Sequence, residues 1–154
     1  MSHAIVLGAF ELHEEIGHGG MGVIWRGVHR SRGLPFACKV VTREGMRDSE
    51  NLEVFRNEVR SVAALDHPGV VRIFERGVIS GKAARASGGE LVEGSPYFVM
   101  ELATRGSLEH YLEALDWPKT RYIILRILDA LAHAHARGVI HRDLKPANIL
   151  VGCR

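Results

Sequence analysis

The run His141-Arg142-Asp143-Leu144-Lys145-Pro146-Ala147-Asn148-Ile149-Leu150-Val151 decides how the rest of the chain is read. A long apolar-periodic segment precedes it and β-branched residues end it, so its charged members fall in a loop between a helix and a strand. It fits H-R-D-L-x-x-x-N without a gap. That spacing sets Asp143, a carboxylate able to receive the proton of an attacking hydroxyl, five residues ahead of Asn148, an amide whose oxygen can bind magnesium. Solvated punctuation between two elements is the alternative, but a chance match of this length is rare.

Upstream of this loop the pattern is helical. A helix is expected from about Lys119 to Arg137, opened by Asp116-Trp117-Pro118 and closed by Gly138. Its apolar residues Tyr122, Ile123, Ile124, Leu125, Ile127, Leu128 and Leu131 cover more than one face, so the helix expects burial. If nothing covers them, self-association through this helix follows. A shorter helix is read around Ser107 to Leu115, and small and polar residues at Ala103-Thr104-Arg105-Gly106 mark the boundary with what precedes.

Before that boundary the chain reads as strands. Phe10 to Ile16, Val23 to Val28 and Pro35 to Val41 are short β-branched and apolar segments, with further strands near Val70 to Ile79 and Tyr97 to Leu102. One helix interrupts them, from about Ser49 to Leu65, with Leu52, Phe55, Val59 and Val62 at threes and fours and His67-Pro68-Gly69 ending it. The segment Ser80 to Ser95, rich in Gly, Ala, Ser and Glu without a clear period, reads as an exposed loop.

Three features of this first part carry chemistry. Gly17-His18-Gly19-Gly20-Met21-Gly22 fits G-x-G-x-x-G, a spacing shared by unrelated nucleotide sites. Because Val23-Ile24-Trp25-Arg26 continues as strand and not as helix, the glycines cap a hairpin, whose backbone N–H groups could lie over phosphates or whose tip could bind nothing. In Pro35 to Val41 the period of two puts Ala37, Lys39 and Val41 on one face. That suits a pocket in which Ala37 leaves room for a flat base and Lys39 meets phosphates, although a lysine snorkelling to water fits the same strand. Glu58 lies beside the apolar stripe of its helix, so it either faces inward to pair with Lys39 or stays solvated.

With these residues in view the chain resembles protein kinases. The sequences Ile16-Gly17-His18-Gly19-Gly20-Met21-Gly22 and His141 to Asn148 look most like the bacterial serine/threonine branch. The resemblance implies an α+β fold: a five-stranded antiparallel N-lobe sheet with one main helix, over about 10–103 with the hinge, then the first helices of an incomplete helical C-lobe over 104–154. It implies ATP and Mg2+ as ligands and serine/threonine hydroxyls of a protein substrate as acceptors. By the same resemblance Asp143 is the base and Asn148 a magnesium ligand. Lys145 goes with serine/threonine specificity, and Lys39 with Glu58 forms the pair that holds the phosphates. Ile16, Gly17, Gly19, Gly22, Ile24 and Ala37 surround the nucleotide, Met100 is the gatekeeper, and Glu101 to Ala103 form the hinge that meets adenine.

No Asp-Phe-Gly occurs, although the family takes its main magnesium ligand from that motif. The sequence reading therefore expects little phosphotransfer from this chain alone, and keeps a nucleotide- or partner-binding pseudokinase module as the alternative.

Composition agrees with a globular domain and narrows the partners. Of 154 residues, 46% are hydrophobic and 25% charged, enough apolar content for a real core. Lysine and arginine exceed aspartate and glutamate only by 20 to 18, which gives no reason to expect nucleic acid or an anionic membrane. Lacking a signal-peptide pattern or a run of about 18 apolar residues, the sequence reads as cytoplasmic. Cys38 and Cys153 are expected to be reduced thiols, and His133 and His135, two apart on a helix, cannot share a metal ion.

Overall fold

The computed structural model describes residues 4–152 except residue 20, and not the side chains of residues 51 and 58. Two compact units divide the chain. One is built from Met1–Arg60 with Ile73–Leu102, the other from Ser61–Arg72 with Ala103–Arg154.

The first unit is a six-stranded antiparallel sheet, where the sequence reading expected five strands. Its strands are β1 (Ile5–Leu7), β2 (Phe10–His18), β3 (Gly22–His29), β4 (Pro35–Val41), β5 (Ile73–Val78) and β6 (Pro96–Met100), in the order β1-β2-β3-β4-β6-β5. The added strand, β1, pairs Ile5 with Leu12 and Leu7 with Phe10. A two-residue turn makes this possible, with Gly8 at φ 60°, a conformation that glycine adopts without penalty.

Each face of the sheet has its own core. On one face α2 (Ser49–Ala63) sets Phe55 and Val59 against Val41 and Phe98, with Met46, Leu52, Ile73 and Met100 at the margin. A short α1 (Arg43–Arg47), capped by Thr42, precedes α2. On the other face Leu12, Phe36, Cys38, Val40 and Val99 pack with Ile79, Ala83 and Leu91.

That second core corrects the reading of Ser80 to Ser95 as a mere exposed loop. The segment contains α3 (Gly81–Ala86), whose N-cap Ser80 accepts from the Ala83 N–H at 3.2 Å. Ser87 then accepts from the Leu91 N–H at 2.9 Å. The turns deliver Ala83 and Leu91 to the sheet one at a time, so no apolar period marks the stretch in the sequence.

The second unit is helical. Leu108–Ala114 forms the short helix expected there, of 3-10 type, and α4 (Trp117–His135) follows, capped by Asp116 with Pro118 in its first turn. Gly138 at φ 73° closes it, with the Val139 N–H bonded back to the Ala134 carbonyl at 3.0 Å. Pro146–Asn148 forms one more 3-10 turn. Beyond it the chain runs back beside 105–108: Ser107 bridges Leu150, the Leu108 N–H meets the Ile149 carbonyl at 2.7 Å, and the Val151 N–H meets Gly106 at 2.8 Å. Among the described residues no helix is long and apolar enough to cross a membrane.

Candidate functional site

In the sheet unit, strand register decides which side chains share a face. Ile24 lies opposite Lys39 and Lys39 opposite Phe98, while Arg26, Ala37 and Met100 form the adjacent row. Residues paired directly across antiparallel strands point to the same side. Ile24, Ala37, Lys39 and Met100 therefore stand on the α2 face, away from the core of Cys38 and Val40. The Lys39 ammonium, half-buried, stands 5.8 Å from the centre of the Phe55 ring and 6.0 Å from that of Phe98, within reach of cation–π attraction. The side chain of Glu58, expected to pair with Lys39, lies outside the described residues.

The glycine hairpin closes on itself. Gly19 and Gly22 exchange both backbone hydrogen bonds, at 2.9 and 3.2 Å. A Cβ on Gly22 would fall 2.5 Å from the Val40 carbonyl oxygen, so glycine is required there by close backbone approach. A Cβ on Gly19 would meet, among the described residues, only the Gly22 carbonyl oxygen at 4.0 Å, so a side chain would have room there. Ile16, at the root of the flap, is exposed. Glu101 follows β6, and Ala103 begins the longer stretch of the second unit.

Next to Lys39, Cys38 is fully buried, and burial with the nearby Glu75 carboxylate pushes its thiol up to about 12. Such a thiol is a packing group and not a nucleophile. Cys153 lies outside the described residues.

In the helical unit the loop after α4 is organised around Asp143. Arg142 takes a left-handed conformation, φ 63°, unusual for a residue with a side chain. The turn it makes lets the Asp143 N–H reach back to the His141 carbonyl at 2.8 Å. Asn148 then donates from Nδ2 both to the Asp143 carbonyl at 2.8 Å and to its Oδ2 at 2.9 Å. A carbonyl only accepts, so Nδ2 must be the inward atom and Oδ1 the one presented outward. Lys145 Nζ lies 3.0 Å from Asp143 Oδ2. The hydrogen bonds from Lys145 and Asn148, with the Lys145 charge, hold the Asp143 carboxyl below the ordinary carboxylate range. A carboxylate, exposed and ionised, is thus fixed by two neighbours. Asn148 Oδ1 is the kind of hard oxygen that magnesium takes.

Sequence reasoning missed the conformation of Arg142 and the two rings flanking Lys39. Nothing in the order of residues signals the first, whereas the apolar stripe of α2 could have placed Phe55 near the lysine. Among the described residues no group of three or more His, Cys, Asp or Glu is placed to hold a metal ion.

The family profile described as "Protein kinase domain" matches residues 10–153. Among characterised relatives, the serine/threonine-protein kinase PknK of Mycobacterium tuberculosis is 37% identical over 146 residues, 92% of this chain and 12% of the relative. PknA, a serine/threonine-protein kinase of the same species, is 37% identical over 148 residues, 94% of this chain and 32% of the relative. A calcium/calmodulin-dependent protein kinase type II of Caenorhabditis briggsae is 32% identical, covering 94% of this chain and 25% of the relative. The chain thus spans a third or less of the length of these relatives.

Proposed function

The chain belongs to the protein kinase family, among the serine/threonine kinases, and from that premise we propose that it binds ATP with magnesium and serves phosphoryl transfer to serine or threonine hydroxyls of proteins. The observation that carries the reading is the clamp on Asp143, where Asn148 and Lys145 fix one carboxylate in a left-handed turn. An ionised carboxylate so held is oriented to take the proton of an incoming hydroxyl. Lys145, on the same oxygen, keeps it ionised.

Magnesium-bound ATP supplies the phosphoryl group and neutralises its charge. Asn148 would hold the ion through Oδ1. In the sheet unit Ala37 and Ile24 form an apolar floor, Lys39 provides the cation for phosphate oxygens, and Gly17, Gly19 and Gly22 with Ile16 form the flap. Met100, Glu101 and Ala103 are assigned to the adenine side, and Glu58 to orienting Lys39.

Incorporation of radiolabelled phosphate into serine/threonine substrates tests the reading. The chain by itself, without Asp-Phe-Gly, should transfer little, and in a version extended through that motif Asp143→Asn should lower transfer by roughly 10²- to 10⁴-fold, the range that a positioned base contributes. Transfer undiminished in that variant contradicts the assignment. ATP binding without transfer in the extended version as well gives the chain the other role, a nucleotide- or partner-binding pseudokinase module.

A further inference from the structure

The sheet face that turns away from Lys39 is not wholly covered. Trp25 lies opposite Cys38 and Val23 opposite Val40, so both share the face of the core that holds Cys38 and Val40. Beside them a recess of about 240 Å³ stays open, floored by Val23, Trp25 and Val40 and closed on one side by Val92. The 80–95 segment builds that side. Leu91 is buried in the core with its N–H on Ser87 Oγ at 2.9 Å, and the Val92 carbonyl accepts from the Ser95 N–H at 3.1 Å. Glu90 and Val92, on either side of Leu91, are thereby held at the opening.

Charge lines the rim. Glu90 comes from the 80–95 segment, and Arg43 and Glu44 come from the first turn of α1, whose start is fixed by the Thr42 cap. Among the described residues none of these three side chains has an ion pair or a hydrogen bond within the chain. One guanidinium and two carboxylates thus surround an apolar floor. An anion entering the recess meets the glutamates, and a cation meets Arg43. A molecule that carries both charges beside an apolar body answers all of them. Its carboxylate matches the planar fork of Arg43, its ammonium the carboxylates of Glu44 and Glu90, and its side chain the floor. The recess is smaller than the roughly 300–1,000 Å³ of sites for drug-sized ligands, which argues against a second nucleotide and suits a single residue.

We propose that this recess binds a free apolar α-amino acid, at a site on the opposite side of β4 from Lys39 and independent of the kinase reading.

The test is an NMR titration of the chain with L-leucine, following the Trp25 indole N–H and the methyl groups of Val23 and Val92. These signals should shift saturably, while the indole of Trp117, exposed on α4, stays in place. Leucinamide, which lacks the carboxylate, and N-acetyl-leucine, which lacks the ammonium, should each bind roughly five- to tenfold more weakly, between the loss for a surface ion pair and that for a charge-assisted hydrogen bond. Arg43→Gln should weaken L-leucine to the same extent and remove its advantage over leucinamide. Shifts that do not saturate, equal affinity for all three compounds, or unchanged affinity for L-leucine in Arg43→Gln would overturn the proposal. So would N-acetyl-leucinamide binding as well as L-leucine, a result that makes the recess a seat for one side chain of a protein partner.

Discussion

The two units of this chain bury their apolar residues to very different extents. In the sheet unit both faces are covered, one by α2 and the other by the 80–95 segment, and side chains such as Leu12, Cys38 and Val99 have no contact with water. In the helical unit the only buried apolar residues among the described ones are Leu108 and Ala134. Along α4, Trp117, Tyr122, Ile124, Leu125 and Leu128 are exposed, Trp117 to 71%. The sheet unit is therefore held by its core. Around the Asp143 loop, order comes instead from directional bonds: the Asn148 clamp, the pairing of 105–108 with 149–151, and the Gly138 closure.

This contrast can be broken by substitution. Leu12→Ala should cost about 2–5 kcal/mol, the usual range for emptying a packed leucine site. The loss should appear in denaturant unfolding followed by Trp25, which packs at the margin of that core. A loss under about 1 kcal/mol would mean that the outer core is looser than its burial implies.

The opposite outcome is expected on α4. Changing Tyr122, Leu125 and Leu128 together to serine should alter stability by only about 0.5 kcal/mol per site, as for exposed positions elsewhere. Light scattering should nevertheless fall, because a contiguous apolar patch open to water drives self-association. Unchanged scattering would show that these side chains do not meet one another between copies.

How much of this was legible in the sequence depended on whether a feature repeats. Strands β2 to β4 and helices α2 and α4 carry sustained periods of two or of three to four, and their positions were read to within a few residues. The alternation that set Ala37 and Lys39 apart from Phe36 and Cys38 is the one the register displays. β1 escaped notice because three residues do not make a period, and the 80–95 segment because its buried residues are separated by turns. The site divides in the same way. Asp143 and Asn148 are five apart in one loop, so their spacing announced them, whereas the turn at Arg142 is a backbone conformation that no residue type signals. Trp25, Arg43 and Glu90 are far apart in sequence, and only folding brings them to one recess.

The central claim, that the α2 face of the sheet holds a nucleotide through Lys39, is tested most directly by calorimetric titration with ATP and magnesium. The account predicts binding to the unsubstituted chain and to Asp143→Asn alike. Lys39→Met should bind roughly ten- to a hundredfold more weakly, the loss expected when a charge-assisted hydrogen bond of about 1.5–3 kcal/mol is removed. Equal affinity in Lys39→Met would contradict the account and move the nucleotide off this face.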